Sequence, residues 1–517
     1  MGKNTGVVSL VLAGAMLTGC LTPVFADETQ GGSDLEPVTL EWYVAEDSQS
    51  GNDEVFAALN EYLQEKINTT INFHFVSISE YASKVGTILM SGQDVDIVNC
   101  NSELPYTDYV KKDSFIPMDD LLEEYAPKTK ELIPENLWSA MKVDGKIYGV
   151  PSYKDSVQMY SVMVNQTLAD DLGIDLSDVT IHNYQDMVPI MEEAWTLRNE
   201  KHPEYKLSDT EYVPLTRTCP SLEQWAQYET INGLAVVNVP GVEDYEGKGA
   251  GELVFNKYDT QEFREMCETT AHFVTEGIIH SDTWYWDPDR IYSADPYAYL
   301  VDDIGSGYVT VSEHLFSDNF VTTMLPFDAK IASTNYLQAA VNCISSTSKN
   351  PERAMMALEI INTDPYFATT IRFGTEGKYW NATDEENVIS FEGTLNEDPA
   401  ARSNYYWYGA QFGSLVFSKV PSGYPNNFTE LIQEANESAI SDTNLGFIFD
   451  PTPVTNEIAA CNAVIDEYET NLIFGFIPES EVDANIDEFL QKLNDSGAEK
   501  IVAEAQSQLD AWRAENK

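Results

Sequence analysis

Aromatic rings beside carboxylates and amides are the residues of this chain best suited to holding a ligand. Trp284-Tyr285-Trp286-Asp287 precedes Pro288, and Tyr405-Tyr406-Trp407-Tyr408 forms a second run. Adjacent aromatics cannot all face one core, so Trp284, Trp286 and Trp407 are candidates for open platforms. Trp42-Tyr43 ends an alternating segment, with Asp47 in the loop beyond it. Trp42 shares a face with Leu40 and reads as core, which leaves Tyr43 and Asp47 as the candidates there. Glu376 and Trp380 flank a connection containing Gly374 and Gly377, which reads either as a cleft wall or as a junction needing backbone freedom. Flat rings with acceptors around them suit a solute that has an apolar face and a rim of hydroxyls.

The same inventory argues against chemistry on that solute. There is no GxSxG elbow, phosphate loop or HExxH pair. Asp287-Pro288-Asp289 lacks the ligand spacing and glycine of a calcium loop. A glycosidase needs only two carboxyl groups across a cleft, and the chain has 85 acidic residues, so composition alone leaves that reading open. Beyond Cys20 the cysteines are Cys100, Cys219, Cys267, Cys343 and Cys461. They are odd in number and widely spread, so neither a zinc site nor a disulfide framework follows, and they read as small buried hydrophobes. No catalytic residue, metal or cofactor is expected. A net charge of -56, from 29 basic and 85 acidic residues, repels phosphate backbones and excludes nucleic acid as a partner.

The N-terminus sets the compartment. Lys3 is followed by an uncharged stretch from Asn4 to Gly19 with an apolar core at Val7–Leu17. That is too short for a permanent span, which needs about 20 apolar residues, and it reads as a signal peptide. It ends in Leu17-Thr18-Gly19-Cys20, which resembles a bacterial lipobox, so Cys20 is expected to carry the lipid anchor. The rival cut follows Val24-Phe25-Ala26 and would release a soluble protein. Residues 27–34 are polar and glycine-containing, as a flexible tether would be.

The elements that must position the candidates follow from periodicity. Val38, Leu40, Trp42 and Val44 alternate with Thr39, Glu41 and Tyr43, which predicts a strand. Asp53 is expected to cap a helix with the stripe Phe56, Leu59, Leu63 and Ile67. Ile71, Phe73 and Phe75 alternate again, a helix is expected at 81–90, and residues 95–98 (Val95 to Val98) give a third strand. This order predicts an α/β fold with a largely parallel sheet and a ligand beyond the carboxyl ends of its strands. That places Tyr43, Asp47 and Asn101 near any site. Asp144-Gly145 marks a hairpin turn, and the apolar run 157–165 is expected to carry the chain out of the first sheet. Further helices are expected at 183–198, 260–276 and 350–363, and two at the C-terminus. One of the two buries Val482, Ile486, Phe489, Leu490 and Leu493, the other Ile501, Val502, Ala505, Leu509 and Trp512.

Gly149-Val150-Pro151 with the segment Met159 to Asn165 resembles the first crossover of sugar-binding proteins of ABC importers, and residues 119–127 fit the same pattern. Ser346 to Met355, Thr363-Asp364-Pro365, Gly374 to Trp380 and the Asp450–Val454 segment are similar to the LplA/LipO-type extracellular solute-binding lipoproteins of Gram-positive bacteria. The resemblance covers essentially the whole mature chain. It implies a two-lobed type 2 periplasmic-binding-protein fold with hinge crossovers and a helical C-terminal region. Its division here would be a signal peptide (1–19), a lipidated Cys20 with a tether (20–37) and a first part of lobe 1 (38–157). Lobe 2 (158–330), a return to lobe 1 with the hinge (331–445) and C-terminal helices completing the lobes (446–517) would follow. The implied partners are an oligosaccharide or other polar small molecule, the permease subunits of an ABC importer, and the membrane through the anchor. The alternatives are a solute-sensing or adhesion lipoprotein and, less favoured, a glycoside-acting enzyme. The strand end Asn99-Cys100-Asn101 departs from the small hydroxyl residues of many relatives.

Overall fold

The computed structural model describes residues 35–154, 156–157, 159–206, 213–216, 219–239, 251–279, 296–306, 321–397, 405, 410–422, 424 and 427–516. Cys20, the tether, Trp284, Trp286 and Trp407 lie outside the described residues.

In chain order the elements used below are β1 (Val38–Ala45), α1 (Asn52–Ile67), β2 (Thr69–Val76), α2 (Ile78–Ser91), β3 (Ile97–Cys100) and β4 (Gly149–Pro151). Next come β5 (Tyr160–Asn165), α3 (Met187–Lys201), β6 (Tyr228–Asn232), β7 (Ala235–Asn238), β8 (Phe255–Asn256) and α4 (Gln261–Glu276). The chain continues through β9 (Val301–Ser306), β10 (Thr322–Pro326), β11 (Ile331–Ala332), β12 (Val341–Ile344), α5 (Pro351–Thr363) and α6 (Pro365–Phe373). Last are β13 (Ile440–Ser441), α7 (Thr455–Ile473), α8 (Val482–Ser496) and α9 (Ala498–Asn516).

The first sheet has the order β2-β1-β3-β12-β4. Its β2, β1 and β3 are parallel, as a β-α-β-α-β start dictates, but β12 pairs antiparallel with β3 on one side and with β4 on the other. The sheet is therefore mixed: its centre is completed by a strand that returns from far along the chain. Alternation on β1 puts Leu40, Trp42 and Val44, all fully buried, on one face. Trp42 packs there against a tilted Phe73 ring and edge-to-face with Phe412. On α1, Val55, Phe56, Leu59 and Leu63 are buried, while Gly51, not Asp53, is the N-cap. Asp53 sits in the first turn, where its charge complements the helix dipole. The hairpin turn has Asp144 at φ 51° and Gly145 at φ 76°, the left-handed pair a two-residue turn requires.

β5 leaves this sheet and pairs antiparallel with β9 and β10, while β8, β7 and β6 form a separate antiparallel sheet. The buried apolar residues fall into two large clusters. One draws on residues from Leu40 to Met159 and from Ala332 to Ala435. The other draws on Val162 to Phe327 and Val454 to Leu509. The chain passes between them around Met159–Val162, around Phe327–Ala332, and between Ala435 and Val454. The last two passages lie side by side, with β11 and β13 paired in parallel.

The C-terminal region holds three long helices where two were expected. The additional one, α7, fully buries only Cys461 and Leu472, and the rest of its stripe, Ile458, Ile465 and Tyr468, is half-buried against the second cluster. The buried sets of α8 (Val482, Ile486, Phe489, Leu493) and α9 (Ile501, Ala505, Leu509) match the expected faces. Leu490, Val502 and Trp512 are only partly buried at their margins.

The Ser346–Met355 motif turns out to tie this fold together. Ser348 donates to Asp96 Oδ1, and Asp96 Oδ2 accepts from the Glu41 N–H at 2.9 Å. Arg353 donates to the carbonyls of Glu36, Ile67 and Asn68, the last two at the carboxyl end of α1.

Candidate functional site

The carboxyl ends of β1 and β3 carry a connected line of polar groups. Asn99 and Asn342 stand directly opposite each other on β3 and β12. Asn99 Nδ2 donates to Asn342 Oδ1 at 3.3 Å, and Asn342 Nδ2 donates to the Gln411 carbonyl at 3.2 Å. Gln411 Nε2 then donates to Glu46 Oε1 at 2.8 Å. Both asparagines are almost fully buried, at 2% and 1% exposure, so their amides have few alternatives to one another. Burial, and then the charge of Asp47, hold the Glu46 carboxyl above its ordinary range, against the pull of the Gln411 amide. A half-buried carboxyl group thus sits at the strand ends with fixed amide groups behind it.

Beside this line lies an open groove of about 730 Å³ between the edge strand β2 and α2. Its walls include Tyr43, Phe73, His74, Ser48, Lys84 and Thr87. The Tyr43 ring stacks on His74 with centroids 4.4 Å apart and planes 17° from parallel. His74 Nε2 lies 2.5 Å from Glu41 Oε2, which fixes the imidazole against the sheet. Burial first, and then Glu41, keep the Tyr43 hydroxyl above the usual tyrosine range. Lys84 is engaged by Glu80 at 2.6 Å.

The sequence candidates divide among several environments. Tyr43 lines the groove, although only 8% exposed. Asp47 is exposed in the loop after β1. Asn101 is half-buried, and its Oδ1 accepts from the N–H groups of Glu103 and Leu104, so it also shapes the turn after β3. Glu376 is exposed. Trp380 is 6% exposed and packs in the first cluster, with its indole N–H donating to the Gly374 carbonyl at 2.8 Å. It shapes the junction and presents no open face. Gly374 is required there: its φ is +81°, and a Cβ would lie 2.5 Å from the Tyr379 ring. Of the second aromatic run, Tyr405 is fully buried and donates to the Ile371 carbonyl. Asn342, Gln411 and Glu46 were not expected. The available signal was an Asn inside the apolar runs Ile97 to Cys100 and Val341 to Ile344, a local conflict that marks a functional or strained site. Among the described residues no group of three or more His, Cys, Asp or Glu could hold a metal ion. Donors, acceptors and a ring stack suit recognition of a polar, uncharged solute.

Residues 443–514, which hold the C-terminal helices, match a family model described as a domain of unknown function, DUF3502. Across 98% of its length the chain is 25% identical to a carbohydrate ABC transporter substrate-binding protein of Streptococcus pneumoniae serotype 4, covering 96% of that protein. Its structure superposes on the N-glycan transport solute-binding protein NgtS from S. pneumoniae with a TM-score of 0.75 at 22% identity, covering 93% of this chain and all of that one (100%). NgtS has also been crystallised with Man1GlcNAc and Man5GlcNAc, and those structures give TM-scores of 0.65 and 0.62. An HMO-binding, ABC-transporter-associated solute-binding protein from Bifidobacterium longum infantis gives 0.56 at 14% identity, covering 92% of this chain and 99% of that one. Over 98% of its length the chain is thus similar to a carbohydrate ABC transporter substrate-binding protein, and it has the α/β fold of the solute-binding proteins.

Proposed function

We propose that this chain is the extracytoplasmic substrate-binding component of an ABC importer, and that it captures an oligosaccharide between its lobes without turning it over. The observation that carries this reading is the pairing of two buried clusters, linked by three chain passages, with a line of fixed amides at the strand ends of the first. A ligand that touches both lobes favours their closed arrangement by its differential affinity, and a permease can recognise that shape. Tyr43, Asp47 and Asn101 from the first lobe, Trp284 and Trp286 from the second, and Glu376 and Trp407 are the proposed ligand residues. Trp380 lies outside the groove and gives its indole N–H to the Gly374 carbonyl, which supports a packing role instead. The pneumococcal neighbour has been crystallised with mannose–N-acetylglucosamine oligosaccharides, which makes this class the first probe. Lipidation of Cys20 and permease subunits as partners complete the proposal.

Calorimetry of the purified protein against a panel of oligosaccharides, including mannose–N-acetylglucosamine glycans, tests it. Saturable binding with no new products by mass spectrometry is expected. Absence of binding across the panel overturns the oligosaccharide reading, and product formation that disappears on mutating Glu46 overturns the binding-only reading. Cys20→Ala should move the protein from the membrane fraction to the medium, and unchanged retention removes the anchor.

A further inference from the structure

Two buried acidic residues line one small cavity beside the strands where the chain passes between the clusters. β11 and β13 pair where the chain passes between clusters, Ile331 beside Ile440 and Ala332 beside Ser441. The Asp442 N–H continues the ladder to the Ala332 carbonyl at 3.0 Å. From the second lobe, β6 reaches this crossing, and Asn335 Nδ2 donates to the Thr230 carbonyl at 3.2 Å. A cavity of about 90 Å³ opens beside these contacts, lined among others by Glu229, Asp442, Thr334, Asn335 and Asn444. Glu229 is 7% exposed and Asp442 5%.

The surroundings bring no compensating cation to Glu229 among the described residues. β7 sets Val237 opposite it. The segment after β11 offers the Ser333 hydroxyl, with neutral Thr334 and Asn335. Lys154 lies over the Tyr336 ring, 5.4 Å from its centroid. From α9, Arg513 ends on Asn444 Oδ1 at 2.8 Å and on the carbonyls of Gly251 and Glu252. Asp442 is the charge that Glu229 meets.

We propose that Glu229 holds a proton in the cavity it shares with Asp442 and forms a pH-sensitive latch between the second lobe and the crossing strands. Burial, and then the charge of Asp442, push the Glu229 carboxyl up to about 8, against the Ser333 hydroxyl, from an ordinary value of 4.5. The sign follows from linkage. Between those two values the folded chain keeps a proton that the unfolded chain has released, so stability falls as pH rises through the window and levels off above it. A lobe opening that wets Glu229 releases the same proton, so falling pH favours the closed hinge.

Thermal and denaturant unfolding of the full-length protein, wild type against Glu229→Gln, tests the proton. The wild-type unfolding constant, relative to the variant, should rise by up to about tenfold per pH unit from about pH 5 to about pH 8. Parallel profiles overturn the proposal. Asp442→Asn should move the upper end of the sloping region to lower pH, and it decides the matter alone if Glu229→Gln does not fold. An unmoved upper end overturns the pairing. Small-angle scattering without ligand tests the latch and rests on the two-lobed reading. The wild type should expand across the same window and Glu229→Gln should not. A proton-linked unfolding slope with a constant radius of gyration leaves the charge pair but overturns the latch.

Discussion

Asn342→Leu is the change that reports most directly on the line of amides at the strand ends. Leucine matches asparagine in length and branching, so the backbone of β12 has no steric reason to move. What changes is hydrogen bonding: the Asn99 amide loses its acceptor at 3.3 Å and the Gln411 carbonyl loses its donor at 3.2 Å. A buried polar group left without a partner costs roughly 1–3 kcal/mol. The Asn99 contact is long and counts at the low end, and leucine is more readily buried than an amide. A net loss of about 2–3 kcal/mol is the expected result. Denaturant unfolding should show it as a lower midpoint at unchanged slope. Adding Asn99→Leu then recovers about 1 kcal/mol, because removing both partners of a bond is milder than removing one. Binding should weaken in both proteins, since Gln411 is the group that holds the Glu46 carboxylate at 2.8 Å. Wild-type stability in the single variant, or additive losses in the pair, would refute the reasoning that these amides depend on each other.

Arg353→Ala should cost about 1–3 kcal/mol in a urea titration, because the carbonyls of Glu36, Ile67 and Asn68 lose their shared donor, and Arg353→Lys should restore part of it. Trp380→Phe should lower stability by about 1–2 kcal/mol through loss of the bond to the Gly374 carbonyl while leaving glycan affinity intact; an affinity loss at unchanged stability would return Trp380 to the binding surface. Tyr43→Ala should reduce affinity by about 1–3 kcal/mol if a sugar ring uses the groove, by analogy with ring stacking elsewhere. Calorimetry with the oligosaccharide found above reads that change.

The sheet and its first helices were legible because each is buried on one side. β1 alternates, α1 carries a stripe, and both patterns survive in the burial of Trp42, Val55, Leu59 and Leu63. β3 and β12 carried no such signal, since every residue of Ile97–Cys100 and Val341–Ile344 is buried and periodicity vanishes when both faces are covered. What remained there was the presence of Asn among apolar residues, which marks the polar line but not the partner across the sheet. Register between strands some 243 residues apart is set by tertiary pairing, and a single sequence does not contain it. The helix α7 was missed although Ile458, Cys461, Ile465, Tyr468 and Leu472 recur at helical spacing and pack on the second cluster.

The same physics explains why an aromatic count is a weak guide to a binding surface. Trp42, Trp380 and Tyr405 were as conspicuous in the sequence as Tyr43, yet all three are committed to packing, and Trp380 and Tyr405 also spend their polar atoms on the backbone carbonyls of Gly374 and Ile371. Tyr43 differs by position: it sits at the carboxyl end of an inner strand beside an edge strand, where the sheet stops covering its own face and α2 leaves a groove. Strand ends near a sheet edge are where rings and acceptors stay accessible while the backbone beneath them is rigid. Glu46 and Tyr43 meet that condition, and Trp380 does not. Tyr43 and Trp380 are almost equally buried, so position beside the groove separates the two kinds of aromatic, and affinity and stability measured on the same variants should fall into the two groups that this geometry defines.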